Sequence, residues 1–252
     1  MRTIKDIYLM FMRHLKKSLR QPIWLIIGLS QPILYLVLYM PLLKNTGMGA
    51  ASPTGEVVKM FVPGMLVIMG MGALFAGFSF VDEIRQGIIA RWLVTPTGRV
   101  GMILSLVFNQ ILTLFTQSCI LLVIALFLGL SVPFIGVVMT MILILLIGIT
   151  MSSFSYAISL SVKDEGILAS ITNTVYLPIM LLSGIMLPIS LAPNWIKNMA
   201  LFNPFYYVVE ASRSLFAGDY SNMIVIKGFA IMFAFTLLAL WLAVKALNKM
   251  TA

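Results

Sequence analysis

Long apolar runs, separated by short stretches of charge or proline, set the rhythm of the chain. Runs near 23–43, 61–81, 101–129, 133–162, 167–187 and 223–244 each reach the roughly 20 mostly apolar residues that an α-helix needs to cross a bilayer. The pattern therefore predicts six spans. The third and fourth meet at Leu130-Ser131-Val132-Pro133, a short turn that suits a helical hairpin. Pro178 and the Ser183-Gly184 pair predict that the fifth is kinked or ended there.

Three stretches fall outside the runs. In residues 1–21, Ile4, Ile7, Tyr8, Phe11, Leu15 and Leu19 share one helical face, with Lys5, Arg13, Lys16, Lys17 and Arg20 opposite. This predicts an amphipathic helix lying on the membrane surface. A plain anchor and a partner-binding helix both fit it. The next run, Ile23 to Leu43, is too long for a signal-peptide core and no small-residue cleavage site follows it, so it is expected to remain as an anchor.

The second stretch, residues 82–99, is VDEIRQGIIARWLVTPTGR without its leading valine. Acidic side chains are favourable at a helix N-terminus and unfavourable at its C-terminus. On that ground Asp82 and Glu83 are expected to open a short helix running to about Leu93, with Ile84, Ile88 and Leu93 inward and Arg85, Gln86 and Arg91 outward. Thr95 precedes proline and is biased to extended geometry. An ordinary connecting loop with topogenic charge explains the same residues. The third stretch, 188–219, holds Pro188, Pro193 and Pro204, so one continuous helix is excluded. It is also too apolar, with Trp195, Phe202, Phe205, Tyr206 and Tyr207, to hang free in water. A pair of short helices dipping into the outer leaflet satisfies both constraints, and Glu210 and Arg213, one turn apart, are placed to pair. An outer gate and an interfacial cap remain equal readings.

Composition places the chain in the membrane and charge orients it. Only 10% of residues are charged, and the mean hydropathy is +1.05, against about 25% charged in a soluble domain. Of the 17 Lys and Arg, 12 fall before the first span, after the second and fourth, or in the tail, and 5 fall on the other side. The positive-inside bias then puts both termini in the cytoplasm of a plasma-membrane protein. Because the basic residues follow topology, the net charge of +9 points to lipid headgroups and to no nucleic acid.

The single cysteine, Cys119, and single histidine, His14, leave no material for a disulfide framework or zinc cluster, and both read as structural. No Gly-Lys dipeptide occurs, so no P-loop can form and energy must come from another chain. Neither a hydrolase triad nor HExxH is present, which leaves an intramembrane hydrolase as the alternative without its motif. A secondary transporter usually carries ionisable residues within its spans, whereas these hold only Lys227, near one end. Neutral polar residues do occur there, and Gln31, Asn109, Gln117 and Asn173 are candidates for a translocation path, although such residues more commonly glue helices together.

The run FVPGMLVIMGMGALFAGFSFVDEIRQGIIARWLVTPTGR, residues 61–99, resembles the membrane subunits of ABC-2 type transporters, most closely the daunorubicin-resistance type of permease. Pro63-Gly64 matches the family's opening of the second span, and Glu83, Gly87, Arg91, Pro96 and Arg99 match its following loop. SGIMLP at 183–188, then Pro193 and Trp195, then NPFYYVVEASR at 203–213, is similar to the family's re-entrant segment. The resemblance implies an all-α membrane domain over 1–252, with six transmembrane helices, an N-terminal connecting helix, a cytoplasmic coupling helix over 82–99 and an outer-leaflet re-entrant hairpin. It further implies that Glu83, Arg85, Gly87, Arg91, Pro96, Arg99, Asp164 and Glu165 meet a separate ABC ATPase. That partner would bind the ATP and Mg2+, with no cofactor on this chain. Ser183, Gly184, Pro188, Trp195, Asn203, Pro204, Tyr206, Glu210 and Arg213 would form the outer segment. Six helices make too few walls for a sizeable path, so a second permease copy, the same or a paralogue, is expected. A lipophilic drug or lipid-like cargo follows from the resemblance. A lipid-linked polysaccharide, or a non-transporting scaffold or sensor, is the alternative.

Overall fold

The computed structural model describes residues 11–16, 23–45, 54–89, 99–185, 189 and 192–249. Among them the regular structure is helical: residues 11–16, α1 (Ile23–Asn45), α2 (Thr54–Gly72), a 3₁₀ step (Ala73–Ala76), α3 (Gly77–Arg85), α4 (Arg99–Phe127), α5 (Phe134–Val162), α6 (Glu165–Leu182), α7 (Asn194–Ala200), α8 (Pro204–Ala217) and α9 (Met223–Lys249). Among the described residues, five helical segments are long and apolar enough to cross a membrane, namely Val58–Arg85, Gly101–Phe127, Phe134–Val162, Glu165–Leu182 and Met223–Asn248. The chain is therefore a multi-pass membrane protein. In α1 the apolar part that is described, Ile26–Leu38, is shorter than those five.

At the centre stand α2 and α5. Every residue from Phe61 to Met71 is buried, as expected of a helix that is apolar all round and wrapped by others. Small residues let the neighbours of α5 approach closely. A Cβ added at Gly136 would run into the Leu215 carbonyl oxygen of α8, and one at Gly148 would run into Leu114 of α4. Thr150 of α5 and Thr236 of α9 share a hydroxyl hydrogen bond of 2.8 Å. Such small-residue and hydroxyl contacts supply what hydrophobic burial cannot supply inside a bilayer. A second buried cluster, with Phe80, Ile103, Tyr156, Leu160 and Leu247, closes the end of the bundle that carries α3.

The second span departs from the sequence expectation at both ends. Its helix begins at Thr54, so Pro63-Gly64 lies inside α2 instead of opening it. The lack of a side chain at Gly64 admits the Ile185 carbonyl oxygen, which would sit 2.8 Å from an added Cβ. Beyond the 3₁₀ step the helix resumes as α3, and Asp82 and Glu83 fall in its last turns instead of opening a new helix. Gln86 and Gly87 donate backbone bonds to the carbonyls of Asp82 and Ile84, both at 3.0 Å, and Gly87 takes φ +69°, the left-handed turn that ends helices.

The 3₁₀ step is fastened to α5 by two serines. Ser155 Oγ accepts the Gly77 N–H at 2.9 Å and donates to the Leu74 carbonyl. Ser159 Oγ shares its one proton between the Gly77 carbonyl at 3.1 Å and the Ser155 carbonyl of its own helix at 2.7 Å. At the opposite end of the bundle two short helices stand where the proline-broken stretch predicts them. Pro193 precedes α7, and Pro204 starts α8 from position N1 behind the Asn203 cap, a place where its missing N–H costs nothing. The fifth span runs unbroken through Pro178 and ends at Ser183, with Gly184 at φ +75°.

Candidate functional site

The charged residues after the second and fourth spans meet at one end of the bundle. A two-residue turn, Lys163-Asp164, joins α5 to α6. Lys163 adopts a left-handed conformation (φ 56°) as its N–H closes on the Ser159 carbonyl, and Asp164 caps α6 by accepting the Ile167 N–H at 3.0 Å. Arg85, in the last turn of α3, then reaches across. Its Nη2 lies 3.1 Å from Asp164 Oδ2 and its Nη1 lies 3.5 Å from Glu165 Oε1, with all three side chains about half exposed. The Ile167 amide, with help from the Gly166 amide and the Arg85 guanidinium, holds the Asp164 carboxyl below its ordinary range. A cation positioned by two anions thus joins the end of α3 to the α5–α6 turn.

Glu83 does not belong to the outward face. It is buried, 3% exposed, and its Oε1 lies 3.9 Å from Nδ1 of His14, itself buried, on the helical stretch 11–16. Alternation on a helix explains the difference: Phe80 packs edge-on against Tyr156, with ring centroids 5.4 Å apart, and Glu83, one turn further along, shares that inward face. His14, read from the sequence as structural, is buried beside α3, opposite Glu83. Gly87 is the helix stop described above, and Arg99 is the first residue of α4. Arg91 and Pro96 lie outside the described residues, as do Pro188 of the outer group and most of the amphipathic face over 1–21.

At the other end, Asn203 and Arg213 of the predicted outer group hold α8 to the end of α6. Asn203 Oδ1 accepts the Phe205 N–H at 3.0 Å while its Nδ2 donates to the Ile179 carbonyl at 2.7 Å. Arg213 Nη1 pairs with Glu210 at 2.7 Å, as the spacing predicts, and its Nη2 donates to the Gly184 carbonyl at 2.8 Å. Ser183 closes the last turn of α6 through its hydroxyl, 2.6 Å from the Met180 carbonyl. Tyr206 stacks edge-on against Tyr207, 5.3 Å between centroids, and Trp195 is exposed on α7. The four path candidates fall in different surroundings. Gln117 is buried against Gly28 of α1, Asn109 is half-buried on α4, Gln31 is exposed, and Asn173 is exposed with its amide donating to Ala169 of its own helix at 3.0 Å. Gln117 is thus a helix-packing contact. Ser159, which the sequence reading passed over, is part of the clasp on the 3₁₀ step, and its only sequence signal is a hydroxyl one turn after Ser155 on the most apolar helix.

Spanning helices with charged residues paired where two connections meet define a polytopic membrane protein. Residues 5–217 match the ABC-2 type transporter family, and the chain belongs to that family. It is similar to the protein named "Putative transport permease ycf38" from Cyanophora paradoxa, 25% identical over 217 residues, which covers 85% of this chain and 75% of the relative. The protein of the same name from Pyropia yezoensis is 26% identical over 219 residues with the same coverage. Membership makes the chain a membrane permease of an ABC transporter and implies an ABC ATPase as partner.

Proposed function

We propose that the chain is the permease subunit of an ABC exporter that carries a lipophilic, drug-like or lipid-like compound out of the cytoplasm or the inner leaflet, driven by ATP hydrolysed on a separate subunit. In this reading α1 completes a set of six spans, both termini are cytoplasmic, α7 and α8 form a re-entrant hairpin in the outer leaflet, and two copies of the chain enclose the path. The observation that carries the reading is the Arg85–Asp164–Glu165 joint. It links the two connections that the positive-inside bias assigns to the cytoplasm, on a chain that has no P-loop of its own. An ATPase closing beneath it would displace α3 and the start of α6 together.

The test is co-reconstitution with the cognate ABC ATPase in vesicles, using the fluorescent amine daunorubicin as cargo probe. ATP-dependent, cargo-stimulated turnover is expected. Arg85→Ala should leave folding nearly intact, since exposed pairs contribute under about 1 kcal/mol, while lowering transported probe per ATP. Normal coupling in that variant would remove the joint from the mechanism. ATP turnover indifferent to the permease would favour a scaffold.

A further inference from the structure

Of the five helices able to cross a membrane, α6 is the least buried against the rest of the described chain. Its buried side chains are Leu168, Thr172, Tyr176 and Met180, each four residues from the next, with Ile179 partly buried against the core beside them. Its two ends, in contrast, are tied by polar bonds. At the start are the Asp164 cap and the Arg85 pair. At the end, the last turn tightens so that the Ser183 N–H bonds the Met180 carbonyl at 3.3 Å, which releases the Ile179 carbonyl to Asn203. One side-chain amide therefore caps two helices, the end of α6 and the start of α8. Arg213 takes the carbonyls beyond, Gly184 at 2.8 Å and Ile185 at 3.4 Å.

α8 is fixed in a different manner. Phe205, Val208, Val209, Ala211, Ser212, Leu215 and Phe216 are buried. Its backbone lies against Gly136 of α5 and Gly228 of α9, where an added Cβ would meet the Leu215 and Tyr207 carbonyls. Close-packed contacts of this kind are lost steeply with displacement, whereas a carbonyl released by a side-chain donor can turn to another donor. We infer that α8 is the fixed frame at this end of the molecule, that α6 is the element able to move, and that Asn203 and Arg213 are the positioning residues whose release frees the outer end of α6. Where the sequence left gate and cap as equal readings of the outer segment, this makes α8 the cap and α6 the gate. The catch itself is a property of the permease alone, and only its use in export rests on the function proposed above.

The experiment uses the full chain with Cys119→Ser, in lipid nanodiscs and without any ATPase, so it can fail while ATP coupling succeeds, or the reverse. Nitroxide labels at Leu181→Cys on α6 and Ile226→Cys on α9, both exposed, report the distance from α6 to the frame. A second pair, Ala217→Cys and Ile226→Cys, reports the frame alone. The parent should give one narrow distance for each pair. Asn203→Ser retains an acceptor for the Phe205 N–H but loses the donor to Ile179. It should add a second α6 population displaced by roughly 2–5 Å, the scale of helix shifts in packed proteins, with the frame pair unchanged. Arg213→Gln should act in the same direction and decides alone if Asn203→Ser fails to fold. Folded variants whose α6 distance stays as narrow as the parent's, as they would if a second copy clamped that flank, overturn the inference. Broadening of the frame pair instead overturns the assignment of α8.

Discussion

Replacing Ser155 by alanine removes one oxygen and leaves no cavity to speak of, so its cost is set by the hydrogen bonds that the oxygen makes. There are two, both between helices and both buried: the Gly77 N–H donates to it, and it donates to the Leu74 carbonyl. Interhelical polar bonds in membranes average about 0.6 kcal/mol and reach about 1.7, while a buried polar group left without a partner costs about 1–3 kcal/mol. Two such losses put Ser155→Ala at about 2 kcal/mol. Ser159→Ala loses a single interhelical bond, to the Gly77 carbonyl at 3.1 Å, an oxygen also served by helical bonding within α3. Its cost should stay under about 1 kcal/mol. The ordering is the sharper test, because both variants share the same helix, depth and chemistry. Reversible unfolding in mixed detergent micelles, followed by far-ultraviolet circular dichroism, should show Ser155→Ala losing at least about twice the stability of Ser159→Ala. Equal losses, or a Ser155→Ala curve that superimposes on the parent's, would show that the serines do not fasten the 3₁₀ step.

Glu83→Ala should destabilise the fold by up to about 3 kcal/mol, because it strips a buried partner from His14, and should do so more than Glu83→Gln. A parent-like thermal melt for Glu83→Ala would contradict the burial argument. Asp164, whose carboxyl is held below its ordinary value of 3.8, contributes order above that pH and loses it as pH falls through the lower folded value. Hydrogen exchange at the Ile167 amide should therefore quicken, beyond its intrinsic pH trend, only below about pH 3.8, and Asp164→Asn should abolish the transition while keeping the cap. A transition surviving in Asp164→Asn would assign it to another group.

The long helices were readable because apolar runs are bounded by strong stop signals: Leu130 to Pro133 between α4 and α5, and Ser183-Gly184 after α6. The error at the end of the second span has a magnitude behind it. Placing Asp82 and Glu83 at a helix start relied on a dipole effect of about 0.3–1 kcal/mol. The helix instead carries on until Gly87, a stop signal after Arg85 that pointed the right way. Pro204 was read only as a breaker, although Asn followed by Pro is also the signature of a helix start. That Arg85 and Asp164 share one surface was implied only by resemblance to a family, and their direct pairing had no local pattern behind it. The Asn203–Ile179 and Ser155–Gly77 bonds had no sequence signal, since each joins polar groups on different helices whose approach depends on how the whole bundle packs.

The two-residue turn between α5 and α6 has a consequence for biosynthesis. Of the five helices able to cross a membrane, α6 is the least apolar, with Ser170, Thr172, Asn173 and Thr174 near its middle. A segment of that composition enters lipid less readily by itself than α5, the most apolar of the five, and the two-residue turn Lys163-Asp164 ties the two into one hairpin. The carbonyls at the far end of α6 then wait until Asn203 and Arg213 have been translated. A chain truncated before residue 203 would lack both donors, so that end of α6 is completed only when α8 is in place.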